Sequence, residues 1–157
     1  MAINVEKLLA QWSTTRPELD PTPMRLTAYT AQFAHHARQL IDANLAHHGL
    51  HQWQFDVLAT LRRANTPLTA KELAEQVLIS ASALTNRLDK LTAEGLISRS
   101  VNPSSRRESL IELTDEGRQL IDAILPSHLG TCRTVAERLS PAEADQLCGL
   151  LKKALGE

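Results

Sequence analysis

The sequence predicts a mainly α-helical protein with one small β-hairpin, and three observations carry the prediction. Apolar residues recur at helical spacing through most of the 157 residues. Period-two alternation occurs in one place, over residues 97–101 and 109–113, on either side of a polar turn. Helix-start signals punctuate the rest, with T-x-x-E at Thr69–Glu72 and S-P-x-E at Ser140–Glu143.

Val5, Leu8, Leu9 and Trp12 lie on one helical face, so a short first helix ends near Thr15. Residues 16–23 (RPELDPTP) hold three prolines and read as a connector. A long helix follows, with Leu26, Tyr29, Phe33, Ala37, Leu40, Ile41 and Leu45 in one stripe and Gly49 as its stop. A third helix runs from about Gln52 to Ala64, burying Trp53, Val57, Leu58 and Leu61, and Thr66-Pro67 ends it. Thr69 then starts a short helix carrying Leu73, Ala74 and Val77. Ser80 is placed to cap the next helix, which carries Leu84, Leu88 and Leu91 and stops at Gly95. Residues 97–101 and 109–113 form the hairpin, with residues 102–107 as its turn. Thr114 caps a long helix bearing Leu120, Ile121, Ile124 and Leu125, which Pro126 kinks or divides. A last helix begins at Ser140, carries Ala144, Leu147, Leu150, Leu151 and Ala154, and ends at Gly156.

With 43% hydrophobic residues the chain has the means to build a core, but aromatics are only 3%, so Leu, Ile, Val and Ala must fill it. There is no apolar run of membrane-spanning length and no secretory leader pattern, and a cytoplasmic location is expected. The net charge of −1 hides an asymmetry: residues 60–107 hold eight basic and four acidic side chains, and the flanks are acidic. A basic middle between acidic arms suits a nucleic-acid-reading centre.

Helix, short helix, tight link, second helix and hairpin, in that order, make a winged helix-turn-helix. The link Leu78-Ile79-Ser80 is short enough to set the two helices at a steep angle. The second helix, SASALTNRLDKL, presents Ser82, Thr85, Asn86 and Arg87 early and Lys90 one turn later. Arg pairs with guanine, Asn with adenine, and Ser or Thr with bases or phosphates. Ser80, Ser82, Thr85, Asn86, Arg87 and Lys90 are therefore the expected DNA contacts, joined by Arg106 and Arg107 of the hairpin, where an arginine reaches a minor groove.

The segments HGLHQWQFDVLATLRR and LTAKELAEQVLISASALTNRLDKLTAEGLISRSVNPSSRRESLIELTDEG resemble the core of the MarR family of bacterial regulators. L-T-x-x-E-L-A, T-x-R-L-x-x-L, G-L-I-x-R and R-R-x-x-x-x-x-L-T occur in the family's order across Leu50–Ile121. The resemblance implies a homodimer held by helices from both chain ends, one winged lobe per subunit, and a palindromic double-stranded operator bound usually as a repressor. It divides the chain into N-terminal helices (1–49), a DNA-binding lobe (50–113) and C-terminal dimerisation helices (114–157). One departure is visible: where the family's wing carries an acid before its arginine, Ser105 precedes Arg106. A looser wing is expected.

A finer resemblance is to the urate-responsive branch of the family, of the PecS and HucR type. That branch has a tryptophan on an extra N-terminal helix, an R-P-x-L-D-x-x-P-M segment and W-x-F-D-V-L-A-T-L-R-R; here stand Trp12, RPELDPTPM at Arg16–Met24, and Trp53–Arg63. The resemblance places the effector on Trp12, Asp56, Arg87 and Arg99. A flat anion stacks on an indole and pairs with a guanidinium. Urate, another purine or an aromatic carboxylate satisfies the same groups. Asp56, in an apolar run, is expected to pair with Arg99 if it is partly buried.

His47, His48 and His51 lack the further ligands of a zinc site, so no metal and no cofactor is expected. No phosphate loop or catalytic motif occurs, and an enzyme is not expected. Two alternatives stand beside the ligand-responsive regulator. One is a winged-helix module that contacts protein, for which a polar, basic helix face has no use. The other is a redox-sensing regulator working through Cys132 or Cys148, whose oxidant response cysteine-to-serine variants abolish.

Overall fold

The computed structural model describes residues 4–77 and 81–157, with the side chains of Ala81, Ser82, Arg106 and Arg107 outside the description. Among the described residues, seven helices and three strands follow in the order α1 (Val5–Thr15), α2 (Met24–His47), α3 (Gln52–Ala64), β1 (Leu68–Thr69), α4 (Ala70–Val77), α5 (Ala81–Ala93), β2 (Ile97–Asn102), β3 (Ser105–Leu113), α6 (Asp115–Val135) and α7 (Pro141–Leu155). They divide into two compact units, Met1–Ile41 with Cys132–Glu157, and Asp42–Thr131. The unit that contains the expected lobe is therefore wider than residues 50–113.

The second unit is built around aliphatic side chains. Leu45 of α2, Val57, Leu58 and Leu61 of α3, Leu73 of α4, Leu84, Leu88 and Leu91 of α5, Ile111 of β3 and Ile121 and Ile124 of α6 are all buried. The residues that begin and end these helices do so for local reasons. Asn65 takes the left-handed conformation after α3 (φ 54°), Gly49 after α2 (φ 70°) and Gly95 after α5 (φ 73°). Thr69 and Glu72 make the reciprocal cap of α4: the Thr69 N–H donates to Glu72 Oε2 (2.8 Å), and the Glu72 N–H donates to Thr69 Oγ1 (3.3 Å). The Thr69 N–H and the Thr69 hydroxyl (2.8 Å), both donating to the carboxylate, hold Glu72 below the usual carboxylate pKa. Thr114 joins two elements, since its hydroxyl donates to the Gly95 carbonyl (2.7 Å) and accepts from the Gly117 N–H (3.0 Å). Gly117 is the residue that allows this approach; a methyl group there would strike the Leu96 carbonyl.

Three expectations need correction. The sheet has three strands, ordered β1-β3-β2, because Leu68 and Thr69 pair with Ile111 and Leu110 before α4 begins. Two residues are too few to show a period. The hairpin turn is tighter than residues 102–107: Asn102 pairs with Ser105, Asn102 Oδ1 accepts from the Ser104 N–H (2.9 Å), and β3 starts at Ser105. The backbone of Arg106 and Arg107 thus lies in a strand rather than in a loop. Pro126 does not divide α6, which is continuous from Asp115 to Val135. The proline removes the bond that the Asp122 carbonyl would accept, and the helix carries that loss at a turn where Asp122 and Pro126 are both exposed.

The first unit contains α1, most of α2, the end of α6 and α7. Asn4 caps α1 by accepting from the Lys7 N–H (2.9 Å). Glu6 ties α1 to α2, pairing with Arg25 Nη2 (3.0 Å) and accepting from the Tyr29 hydroxyl (3.1 Å). Ser140 and Glu143 form the expected reciprocal cap of α7, and Gly156 ends it in the left-handed conformation. Among the described residues no helix is long and apolar enough to cross a membrane.

Candidate nucleic-acid interface and effector cavity

Helix α5 separates its two faces cleanly. Leu84, Leu88 and Leu91, spaced four and three apart, are at most 3% exposed and anchor it on the lobe. Thr85, Asn86 and Lys90 are exposed on the opposite side. A helix held by one apolar stripe and carrying a hydroxyl, a carboxamide and an ammonium on the other is suited to a DNA groove. Ser80 lies outside the described residues, and so do the side chains of Ser82, Arg106 and Arg107, although the backbone of these three belongs to α5 and β3.

Arg87 differs from the sequence expectation. Its early position on α5 predicts exposure, but it is half-buried, and its guanidinium lies over the Trp53 ring, 5.6 Å from the centroid. The aromatic face attracts the cation by about 0.5–2 kcal/mol. Its spacing places Trp53 on the buried side of α3, and it is half-buried there. Its role as the partner of Arg87 has no local signal, since the two are far apart in sequence.

The condition for an Arg99–Asp56 pair, partial burial of Asp56, is not met, and Arg99 has another partner. Arg99 Nη2 stands 2.7 Å from Asp89 Oδ1, joining β2 to α5. Asp56 is exposed on α3, and its charge acts on His128 of α6. The physical reason is the short turn at Gly95, which brings β2 back beside the helix it follows. The His128 ring packs on Phe55, with centroids 4.3 Å apart. Burial pushes its imidazole below the ordinary pKa of 6.5, and the Asp56 carboxylate opposes that shift. A further link between α3 and α6 is the pair Arg62–Asp122, with bonds of 2.7 and 3.2 Å.

A cavity of about 360 Å³, half open to solvent, lies between the start of α4, α5 and the sheet. That volume is in the range of small-molecule sites. Leu88 and Ile111 supply its apolar lining, and Lys71, Thr85, Arg99 and Glu108 supply polar groups. Of the four residues expected to hold an effector, Arg99 lines this cavity. Arg87 is turned to Trp53, Asp56 acts on His128, and Trp12 belongs to the other compact unit. Lys71 was missed by sequence reasoning, because an exposed lysine in a capped first turn is unremarkable until the sheet is folded against it.

Two of the three histidines near the end of α2 have hydrogen-bonding surroundings. His48 Nε2 is 2.8 Å from Ser127 Oγ, and His51 precedes α3, its N–H donating to Gln54 Oε1 (3.0 Å). Among the described residues no group of three His, Cys, Asp or Glu side chains is placed to hold a metal ion. Cys132 and Cys148 are exposed.

Comparison with known proteins identifies the family. The MarR family matches residues 50–109, from the approach to α3 through the first half of β3. The transcriptional regulator PecS of Dickeya dadantii (strain 3937) is 31% identical over 151 residues, covering 95% of this chain and 91% of the relative. The chain belongs to the MarR family. Apo wild-type MarR from E. coli is 26% identical in its solved structure, covering 83% of this chain and 96% of that one, with a TM-score of 0.71. A mutant MarR from E. coli complexed with operator DNA shares the fold, with a TM-score of 0.77 and 24% identity over 92% of this chain and 97% of that one. As a MarR family member with a winged helix-turn-helix, the chain is a DNA-binding transcription regulator; the family is not one of enzymes.

Proposed function

We propose that this regulator is a cytoplasmic repressor that binds a palindromic operator as a homodimer and is released by a small aromatic anion, either a urate-like purine or an aromatic carboxylate. One observation carries the effector reading: Thr85 stands on the exposed face of α5 and also lines the cavity that contains Arg99. A molecule seated against Thr85 and Arg99 therefore touches the helix that reads DNA, and its binding energy couples directly to that helix. Residues 50–113 act as the reading lobe, with Thr85, Asn86 and Lys90, joined by Ser80, Ser82, Arg87, Arg106 and Arg107, as its DNA contacts. Residues 1–49 and 114–157 supply the dimer. The apolar residues exposed on the terminal helices, among them Leu26, Phe33, Leu150 and Leu155, support that assignment.

The test is binding of the purified protein to its own upstream DNA at fixed salt, titrated with urate and a panel of aromatic carboxylates. One compound is expected to release the complex. Arg99→Ala is expected to keep DNA binding and blunt the release. Asp56→Ala and Trp12→Ala test separately whether the other residues implied by the urate-responsive branch take part. A sequence-dependent complex that no compound relieves would overturn the effector reading and leave the DNA reading intact.

A further inference from the structure

We propose that Asp89 is a built-in competitor for the effector: its carboxylate holds Arg99 when no effector is bound, and an anion in the cavity must displace it. The inference rests on the reading that this cavity takes an aromatic anion. Arg99 has two calls on its guanidinium. It lines the cavity beside Thr85 and Lys71, and it pairs with Asp89 through a single Nη2–Oδ1 contact of 2.7 Å. A guanidinium binds a carboxylate best through two parallel bonds, and a pair made through one leaves that capacity for another anion. The pair is also easily opened, because the Asp89 side chain is 59% exposed and that of Arg99 33%.

Placement gives the exchange a consequence. Asp89 lies one helical turn beyond Thr85 on α5, and Arg99 is on β2, in register with Ile111 of β3. The ion pair is thus a tie between the DNA-reading helix and the wing. An anion that takes Arg99 unties α5 from β2, while Lys71 provides a second cation that offsets the Glu108 carboxylate, which also lines the cavity. By linkage, the strength of the Asp89–Arg99 pair sets the effector concentration at which release begins.

The experiment is calorimetric titration of the full chain with salicylate and with urate at fixed salt. Asp89→Asn is expected to bind whichever probe the wild type binds about two- to fivefold more tightly, the range for opening one exposed ion pair. Asp89→Ser is expected to show the same gain, and release of operator DNA is expected at correspondingly lower probe concentration. In an Arg99→Gln background the gain is expected to vanish. Equal affinity of wild type and Asp89→Asn, or a gain that persists in Arg99→Gln, would overturn the competitor and leave the effector reading standing. Loss of binding in Asp89→Asn would overturn it by making Asp89 a direct ligand contact. Binding of neither probe to any variant would overturn the cavity reading and the competitor with it.

Discussion

The two compact units use similar helices in opposite ways. In Asp42–Thr131 the apolar stripes meet one another, and it contains every buried apolar residue described except Val5 and Leu9. In the unit formed by the chain ends, α1 buries Val5 and Leu9, but much of the apolar surface of α2 and α7 stays exposed among the described residues. Leu26 is 64% exposed and Leu155 75%, and α7 has no buried residue among its fifteen. Both units have good caps and clear helical periodicity, so local propensity does not separate them. The difference teaches that the central unit has the core of a self-sufficient lobe, whereas the terminal helices leave large apolar side chains exposed, which is the surface the proposed dimer would use.

The largest expected effects sharpen this contrast. Leu91→Ala, at a fully buried position of α5, is expected to cost about 2–5 kcal/mol in urea unfolding, since it leaves a cavity in the lobe. Leu150→Asp, at an exposed position of α7, is expected to keep the helical circular dichroism and to shift sedimentation equilibrium from dimer to monomer. If Leu150→Asp leaves the mass unchanged, the terminal helices are covered in some other way and the comparison breaks.

A smaller effect tests whether the caps are equivalent in the two units. Thr69→Ala removes the reciprocal cap of α4, and Ser140→Ala removes that of α7. Each is expected to cost about 1 kcal/mol. The Ser140→Ala loss should depend on protein concentration if α7 is stabilised by association, and the Thr69→Ala loss should not. Unfolding curves at two protein concentrations separate these outcomes.

The smallest effect is a pH dependence. His128 has its pKa lowered by burial, so between its folded value and 6.5 the unfolded chain binds more protons than the native one. Stability therefore rises with pH through that window and is lost as pH falls below about 6.5. Glu143, held below its ordinary 4.5 by its bonds to Ser140, contributes stability above that value and loses it only as pH falls further. Mild acid is thus expected to lower the Tm through the lobe before it affects the cap of α7. His128→Gln should flatten the melting profile between pH 5 and pH 7; an unchanged slope would remove His128 as its cause.

Several features were legible in the sequence for identifiable reasons. The limits of α1, α3, α4 and α7 could be read because capping is local chemistry: Thr69 with Glu72 and Ser140 with Glu143 act across three residues. The apolar back of α5 was legible for the same reason, since spacing of four and three defines one helical face. Strand β1 was not, because its two residues become a strand only through Leu110 and Ile111, some forty positions later. Continuity of α6 through Pro126 was not, because a proline signals a lost bond and not whether the helix carries that loss.

The candidate site divides along the same line. Sequence by itself determined which charged groups the protein has, that Thr85, Asn86 and Lys90 share the polar side of a helix, and that a winged helix-turn-helix presents them. These follow from short-range periodicity and capping. Only the tertiary structure decided the partners: Arg87 with Trp53, Arg99 with Asp89, and Lys71, Thr85 and Arg99 around one cavity. A charged side chain pairs with whatever opposite charge or aromatic face the folded backbone brings within a few ångströms. That choice depends on how α3, α5 and the sheet pack, which no spacing along the chain encodes.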